Sequence, residues 1–231
     1  MAVPKSIRII FCAALALLGT APPARAAVIR GVVVFSGAVE PKKLPVTIDQ
    51  YICGKEKPAE DLVVGAQRGI RNAAVWLQTP PPGAAWPAAP VKVDMDQKGC
   101  VFVPRVVLVP AGGTVEFLNS DRLLHNLHSA SRENPSFNRT QPKGRAIPIA
   151  FAKPEIIRIN CDLHSWMRAW VVVADHPFYA LTNEAGEFSL PSVPPGKYTL
   201  QIWQESLGVT SREIAVRDDD AAVRVELTAP R

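Results

Sequence analysis

The sequence predicts an all-β protein, built as a sandwich or a barrel. Almost every apolar stretch is short, rich in Val and Ile, and bounded by Pro, Gly, Asn or Asp. The chain contains 22 prolines and 14 glycines, which break it into segments of strand length. No stretch has the apolar spacing of an amphipathic helix longer than about two turns.

The first element is a predicted signal peptide, residues 1–26. Lys5 and Arg8 precede the apolar run "IIFCAALALLG", which is too short to cross a bilayer, and "ARA" at 24–26 is typical of a cleavage site. Cys12 lies inside this run and would leave with the signal. We therefore expect an exported mature chain of about 205 residues from Ala27, with a bacterial periplasm as its location.

Charge excludes one class of partner. The net charge of +5 includes Lys5, Arg8 and Arg25, so removing this segment lowers it by three, to about +2. The remaining basic residues are scattered along the chain, and this pattern does not favour nucleic-acid binding. No later stretch is apolar enough to predict a membrane span.

Three further segments follow the signal. Residues 27–90 form a β-rich extension that contains "RGVVVFSG" and "AAVWL" and ends in the Pro-rich connector "PPPGAAWPAAP". Residues 91–175 contain the strand-like stretches "VKVDM", "RVVLVPAGGTVEFLNSD", "EIIRIN" and "AWVVVAD". Within "TVEFLN", residues Val115, Phe117 and Asn119 share one face because strand side chains alternate. A change of pattern near "DHPFYA" marks a C-terminal segment, 176–231.

The C-terminal segment alternates strands and turns, with Gly186 and Gly196 at the turns of "ALTNEAGEFSLPSVPPGKYTLQIWQE". This pattern resembles the carboxypeptidase regulatory-like, transthyretin-like family. The resemblance implies a small accessory β-sandwich without a peptidase active site. A module of about 55 residues is only marginally stable alone, so we expect it to pack on its neighbour.

The stretch "NCDLHSWM", residues 160–167, gathers Cys161, His164 and Met167 in a chain with only four histidines and three methionines. His125 follows the predicted strand and turn "GGTVEFLNSD". A thiolate, two imidazoles and a thioether together suit copper in both oxidation states. Three of these residues lie in one loop between two predicted strands, which would hold them in place during a redox cycle.

The stretch "VFVPRVVLVPAGGTVEFLNSDRLLHN" followed by "CDLHSWM" resembles the cupredoxin family of blue, type 1 copper proteins over residues 91–175. The short Cys-x2-His-x2-Met loop is most similar to that of the amicyanins. The resemblance implies a Greek-key β-sandwich with His125, Cys161 and His164 as equatorial copper ligands and Met167 as the axial ligand. It also implies that Asn126 hydrogen-bonds across to the Cys161 loop.

Other candidate residues keep alternatives open. His128 would lie outside the ligand set, replace Met167 as axial ligand, or bind an additional metal. His176 is expected at the surface or in a linker. For Cys53 and Cys100 we expect a structural disulfide, with a second soft-metal pair as the alternative. Trp166 is expected in the core or on an apolar rim around an exposed ligand edge.

These residues favour an exported one-electron carrier with one copper per chain, exchanging electrons with a redox partner protein through the edge of His164. We do not expect a binuclear copper centre, since it needs two bridging cysteines in this loop. We do not expect a catalyst either, since a copper oxidase or nitrite reductase needs further histidines for a second copper site. The alternatives are a copper carrier or sensor without redox traffic, and a metal-free β-sandwich interaction module. Zinc is a weaker alternative because a thioether suits it poorly.

Overall fold

The computed structural model describes residues 26–86, 91–217 and 220–229 and confirms the predicted all-β class. Residues 1–25 of the predicted signal lie outside the described residues. Within the described ranges, no helix is long and apolar enough to span a membrane. The strands, in chain order, are β1 (Ala27–Phe35), β2 (Lys43–Pro45), β3 (Glu56–Pro58), β4 (Ala74–Leu77), β5 (Lys92–Gln97), β6 (Phe102–Val103), β7 (Val106–Pro110), β8 (Thr114–Asn119), β9 (His125–Ser129), β10 (Asn138–Gln141), β11 (Ile147–Ala150), β12 (Glu155–Asn160), β13 (Arg168–Ala174), β14 (Tyr179–Leu181), β15 (Glu187–Val193), β16 (Gly196–Gln204), β17 (Gly208–Val216) and β18 (Ala221–Leu227). The helical elements are one turn of α-helix, α1 (Gln50–Cys53), and a 3-10 turn (Ala66–Arg68).

Strands β5 to β13 form a two-sheet unit that we call the central sandwich. One sheet has the order β10-β9-β12-β13-β7 and the other has the order β11-β8-β5-β6. The chain crosses between the two sheets five times: from β6 to β7, from β7 to β8, from β8 to β9, from β10 to β11, and from β11 to β12. Alternation in β8 turns Val115 and Phe117 into the core, where Met95, Ile157 and Val171 from other strands meet them.

Strands β1, β4 and β14 to β18 form a second unit, the flanking sandwich, with sheets β15-β1-β18 and β14-β4-β16-β17. Its core includes Ile29, Leu77, Leu190 and Ile202. The segments 27–90 and 176–231, which the sequence analysis treats separately, therefore share both sheets and one core. Neither segment alone supplies two complete sheets, so each buries its apolar face against the other.

The two sandwiches pack against each other through one sheet of each. Trp170 of β13 meets Trp203 of β16 edge to face, with ring centroids 5.0 Å apart. Beside them, the Arg105 guanidinium donates two hydrogen bonds, of 2.6 and 3.0 Å, to the buried carboxylate of Glu205. The Trp170 indole N–H donates to the same carboxylate at 3.0 Å. This contact ties the strand that follows the predicted ligand loop to the flanking sandwich.

The expectation that His176 lies at the surface is wrong, although the residue does lie in the linker between β13 and β14. Its side chain is 3% exposed, and Nε2 lies 3.0 Å from the carbonyl oxygen of Leu77. Desolvation by burial lowers the pKa of the imidazole. The two sandwiches meet at this point, so a position that looks like a linker in the sequence is covered.

Residues 43–58 leave the flanking sandwich and lie on the central one; we call them the strap. The strap consists of β2, α1 and β3, with β2 and β3 paired antiparallel. Its Val46 and Cys53 side chains are buried in the core of the central sandwich. A disulfide joins Cys53 to Cys100, as predicted, and so attaches the strap to the unit that carries the candidate ligands.

Candidate metal centre

The ligand loop, residues 161–167, connects the antiparallel strands β12 and β13, whose last pair is Asn160 with Arg168. Within the loop, the Met167 N–H donates to the carbonyl of His164 at 2.9 Å, and the Cys161 N–H donates to the carbonyl of Met167 at 3.3 Å. These hydrogen bonds close the loop on itself. The loop is thus a short hairpin whose side chains are positioned by the two strands.

The structure brings Cys161, His164 and His125 together. Their ligand atoms all lie within 4.8 Å of one another. The Cys161 Sγ atom is 3.5 Å from Nδ1 of His164 and 3.9 Å from Nδ1 of His125. His125 reaches this point because it opens β9, the neighbour of β12 in the same sheet. All three side chains are buried.

Each imidazole has a carboxylate on its outer nitrogen. Nε2 of His125 is 2.9 Å from Oδ2 of Asp121, and Nε2 of His164 is 3.1 Å from Oδ2 of Asp49. A carboxylate accepts hydrogen bonds, so each Nε2 is assigned as the protonated nitrogen of its ring. The two Nδ1 lone pairs then face each other at 2.9 Å.

Two facing lone pairs at this separation repel unless a cation lies between or beside them. A proton or a metal ion satisfies that requirement, and the adjacent thiol makes the donor set a soft one. The residues present therefore fit a copper ion bound by Nδ1 of His125, Nδ1 of His164 and Sγ of Cys161.

Burial sets the ionisation of the donors. Desolvation lowers the pKa of His125, which keeps the ring neutral and able to act as a ligand. Desolvation also raises the pKa of the Cys161 thiol, although the Asn126 backbone N–H donates to Sγ at 3.5 Å and favours the thiolate. In the metal-free protein this cysteine holds its proton, and a metal ion has to displace it.

Met167 and Asn126 lie next to the three converging residues. The Met167 side chain is 1% exposed and belongs to the same core cluster as Cys161. The Asn126 side chain accepts a 2.5 Å hydrogen bond from the Asp162 N–H and donates to the Asp162 carboxylate at 3.2 Å. Asn126 thus joins β9 to the ligand loop across the sheet.

His128 points away from the converging ligand atoms. It is exposed on the other face of β9, and its Nδ1 atom is 2.8 Å from Oδ1 of Asp162. Hydrogen bonds from His128 and then Asn138 lower the pKa of Asp162. In the part of the chain that the structure describes, His128 belongs to neither of the groups able to hold a metal.

The expectation of an exposed His164 edge is wrong. The His164 side chain is fully buried, and the strap covers it. Trp166 is only 7% exposed, lies 5.1 Å from the His164 ring between centroids, and donates its indole N–H to the Cys100 carbonyl at 2.9 Å. Trp166 therefore forms part of the inner wall of the site and does not frame an opening.

Neither carboxylate, Asp49 or Asp121, was predicted from the sequence. Asp121 is held by the backbone N–H groups of Gly99 and Cys100, at 2.6 and 2.8 Å, and lies close to the disulfide. Cys100, Asp121 and His125 form a second group within 4.8 Å, but the Cys100 sulfur is bonded to Cys53 and is not free to bind metal. The disulfide therefore overturns the alternative of a second soft-metal pair.

Comparison with known proteins gives partial matches. The family model for polysaccharide lyase family 4, domain II, an fn3-type domain, matches residues 142–223, less than half of the chain. This match differs from the carboxypeptidase regulatory-like family that the C-terminal segment was predicted to resemble. No curated protein matches the sequence.

Similar solved structures include a copper-containing nitrite reductase, a cupredoxin and amicyanin. A copper-containing nitrite reductase from Thermus scotoductus SA-01 is 26% identical with a TM-score of 0.35, covering 42% of this chain and 25% of its own. A purple cupredoxin from Nitrosopumilus maritimus is 20% identical with a TM-score of 0.32, covering 36% of this chain and 99% of its own. Amicyanin from Paracoccus versutus is 22% identical with a TM-score of 0.32, covering 43% of this chain and 97% of its own. The present chain thus spans a quarter of the reductase and nearly all of the two smaller proteins.

Proposed function

We propose that this protein is an exported one-electron carrier that holds one copper ion through His125, Cys161 and His164, with Met167 as a weak fourth ligand. The observation that supports the proposal most strongly is the convergence of two imidazole Nδ1 atoms and one thiol inside a buried, carboxylate-backed site. Copper, when bound, supplies the Cu(II)/Cu(I) couple. This donor set suits both oxidation states.

The residues around the site favour rapid electron exchange because they fix the ligands before any electron arrives. Cys161 and His164 are held by the β12–β13 hairpin, and His125 is held by β9 and Asp121. The backbone hydrogen bonds of the loop and the Asn126–Asp162 pair limit its movement. A rigid scaffold keeps the ligand positions similar in the two oxidation states, which lowers the reorganisation that each transfer requires.

The same burial favours a carrier over a catalyst or a metal-delivery protein. Cys161 is 2% exposed, and both histidines are fully buried. A substrate would need an open position beside the metal, and a delivery protein has to release its metal to a partner. A closed site under a disulfide-linked strap suits neither role.

The partner proposed for this carrier is a redox protein that contacts the outer face of the strap. Three strap residues expose large apolar side chains: Ile48 is 51% exposed, Tyr51 is 81% exposed and Ile52 is 39% exposed. Two more exposed leucines, Leu124 and Leu163, directly precede the two histidine ligands in the sequence. Apolar surface of this kind is typical of transient protein contacts.

The test is voltammetry of protein purified from the periplasm with its own leader, together with metal analysis. The proposal predicts one copper per chain and a reversible one-electron wave, both lost in Cys161→Ser. Copper bound only as Cu(I), without a reversible wave, supports the alternative of a copper carrier or sensor that does not exchange electrons. A protein without copper supports the interaction module, and stoichiometric zinc contradicts the copper assignment.

A further inference from the structure

The strap places one acidic side chain directly on a candidate ligand. We infer that Asp49 is a positioning residue for the copper site: it fixes the His164 ring with Nδ1 facing inward and favours Cu(II) over Cu(I). This inference rests on the proposed function and extends it to a residue outside the central sandwich. No pattern in the ligand loop specifies such a residue, because it is 115 positions away from His164.

The backbone at Asp49 directs its side chain toward the histidine. Asp49 precedes α1 and has a left-handed conformation, with φ 54° and ψ 31°. An aspartate before a helix usually caps it, but the Asp49 side chain makes no hydrogen bond to the helix. Its carboxylate instead lies 3.1 Å from Nε2 of His164.

The position of Asp49 is set by the strap as a whole. The Asp49 carbonyl accepts hydrogen bonds from the N–H groups of Ile52 and Cys53, at 3.0 and 2.9 Å. Cys53 is bonded to Cys100, and Val46 is buried in the core of the central sandwich. Val46 also donates its N–H to the carbonyl of Lys55 at 3.0 Å. Anchors on both sides of Asp49 therefore hold it in place.

The two carboxylates differ in origin but act on equivalent atoms. Asp121 belongs to the central sandwich and lies on Nε2 of His125, whereas Asp49 arrives from the strap and lies on Nε2 of His164. A carboxylate behind a ligating imidazole fixes its tautomer and increases its electron donation to the metal. Negative charge beside the site also stabilises the more highly charged Cu(II) state. Loss of Asp49 should therefore raise the midpoint potential.

Two substitutions separate charge from hydrogen bonding. Asp49→Asn removes the charge but keeps an oxygen that accepts a hydrogen bond, and asparagine tolerates the left-handed conformation. Asp49→Gly removes both, and glycine adopts this conformation without strain. The matched control is Glu56→Gln, which removes a negative charge from the same strap at a side chain that is 53% exposed and paired with Lys43.

The first measurement uses nitrogen-15 NMR of the metal-free protein, so it does not depend on copper. The wild-type His164 should show a proton on Nε2 that exchanges slowly with solvent, and Asp49→Gly should lose this signal while Glu56→Gln keeps it. The second measurement is the midpoint potential of the copper-loaded protein. Asp49→Gly should lower the ratio of Cu(II) to Cu(I) affinity about tenfold, which raises the midpoint by about 59 mV for a one-electron couple. Asp49→Asn should shift it in the same direction, and Glu56→Gln should leave it unchanged.

The inference is overturned if Asp49→Gly keeps both the protected Nε2 proton and the wild-type midpoint, or if its shift is no larger than that of Glu56→Gln. A wild-type protein that binds no copper contradicts the proposed function instead. In that event the NMR comparison still decides whether Asp49 positions His164.

Discussion

Removing the Cys53–Cys100 disulfide should cost the metal-free protein about 4 kcal/mol of unfolding free energy. The two cysteines are 47 residues apart. In the chain-entropy model, closing a loop of that length lowers the entropy of the unfolded chain, which corresponds to about 4 kcal/mol of free energy at 25 °C. Both side chains are buried in the central core, so replacement by alanine adds a smaller loss of packing. For a chain of this size the melting temperature should fall by about 8 to 16 °C.

The assay compares the double variant Cys53→Ala/Cys100→Ala with the wild type in urea, following tryptophan fluorescence. In reducing buffer, the wild type should have an unfolding free energy within about 1 kcal/mol of that of the variant, since both lack the closed loop. Cys161→Ala serves as the control, because it removes a buried thiol without opening a loop. A loss below about 1 kcal/mol in the double variant refutes the reasoning, because the strap would then be constrained by other contacts in the unfolded chain.

Three further predictions concern the site and the contact between the sandwiches. Met167→Gln should keep copper but lower the midpoint potential, because an oxygen donor favours Cu(II). His128→Ala should leave the midpoint potential unchanged. Voltammetry of both variants decides which residue is the axial ligand. Arg105→Leu should lower the unfolding free energy by about 3 to 5 kcal/mol at neutral pH, because the buried Glu205 carboxylate loses its positively charged partner. The double variant Arg105→Leu/Glu205→Leu should recover most of this loss. Urea unfolding measures both. Because burial raises the pKa of the Cys161 thiol, copper uptake should release one proton from it. The apparent copper affinity, measured by chelator competition, should therefore rise about tenfold per pH unit between about pH 6 and pH 8. A copper affinity independent of pH contradicts a thiolate ligand.

Local sequence patterns predict the ligand loop because Cys161, His164 and Met167 lie within seven residues, whereas His125 comes from a separate strand. The spacing of Cys161, His164 and Met167 fits a hairpin loop, and the alternation in β8 identifies a buried face without any tertiary information. Asp49 was not predictable in the same way, because its contact with His164 depends on the path of the strap. The predicted disulfide gave a partial signal, since a residue four positions before Cys53 has to lie near Cys100.

In the fold, too, contacts between distant segments could not be predicted from local sequence patterns. A period of two identifies a strand but does not say which strand it pairs with, so the parallel pairing of β1 with β18 could not be inferred from either segment. The burial of His176 likewise depends on a long-range contact, because its imidazole lies on the carbonyl of Leu77 at the end of β4, beside the pairing of β4 with β14. Its position at the junction "DHPF" indicated a surface or linker histidine, and tertiary packing covers the side chain.

The central claim, a copper ion bound by a cysteine thiolate and two imidazoles, is tested most directly by the visible spectrum of the oxidised, copper-loaded protein with metal stoichiometry. The account predicts one copper per chain and an intense thiolate-to-copper charge-transfer band that disappears in Cys161→Ser and persists in Cys53→Ala/Cys100→Ala. Copper bound at one equivalent without that band, or a band that survives Cys161→Ser, would contradict it.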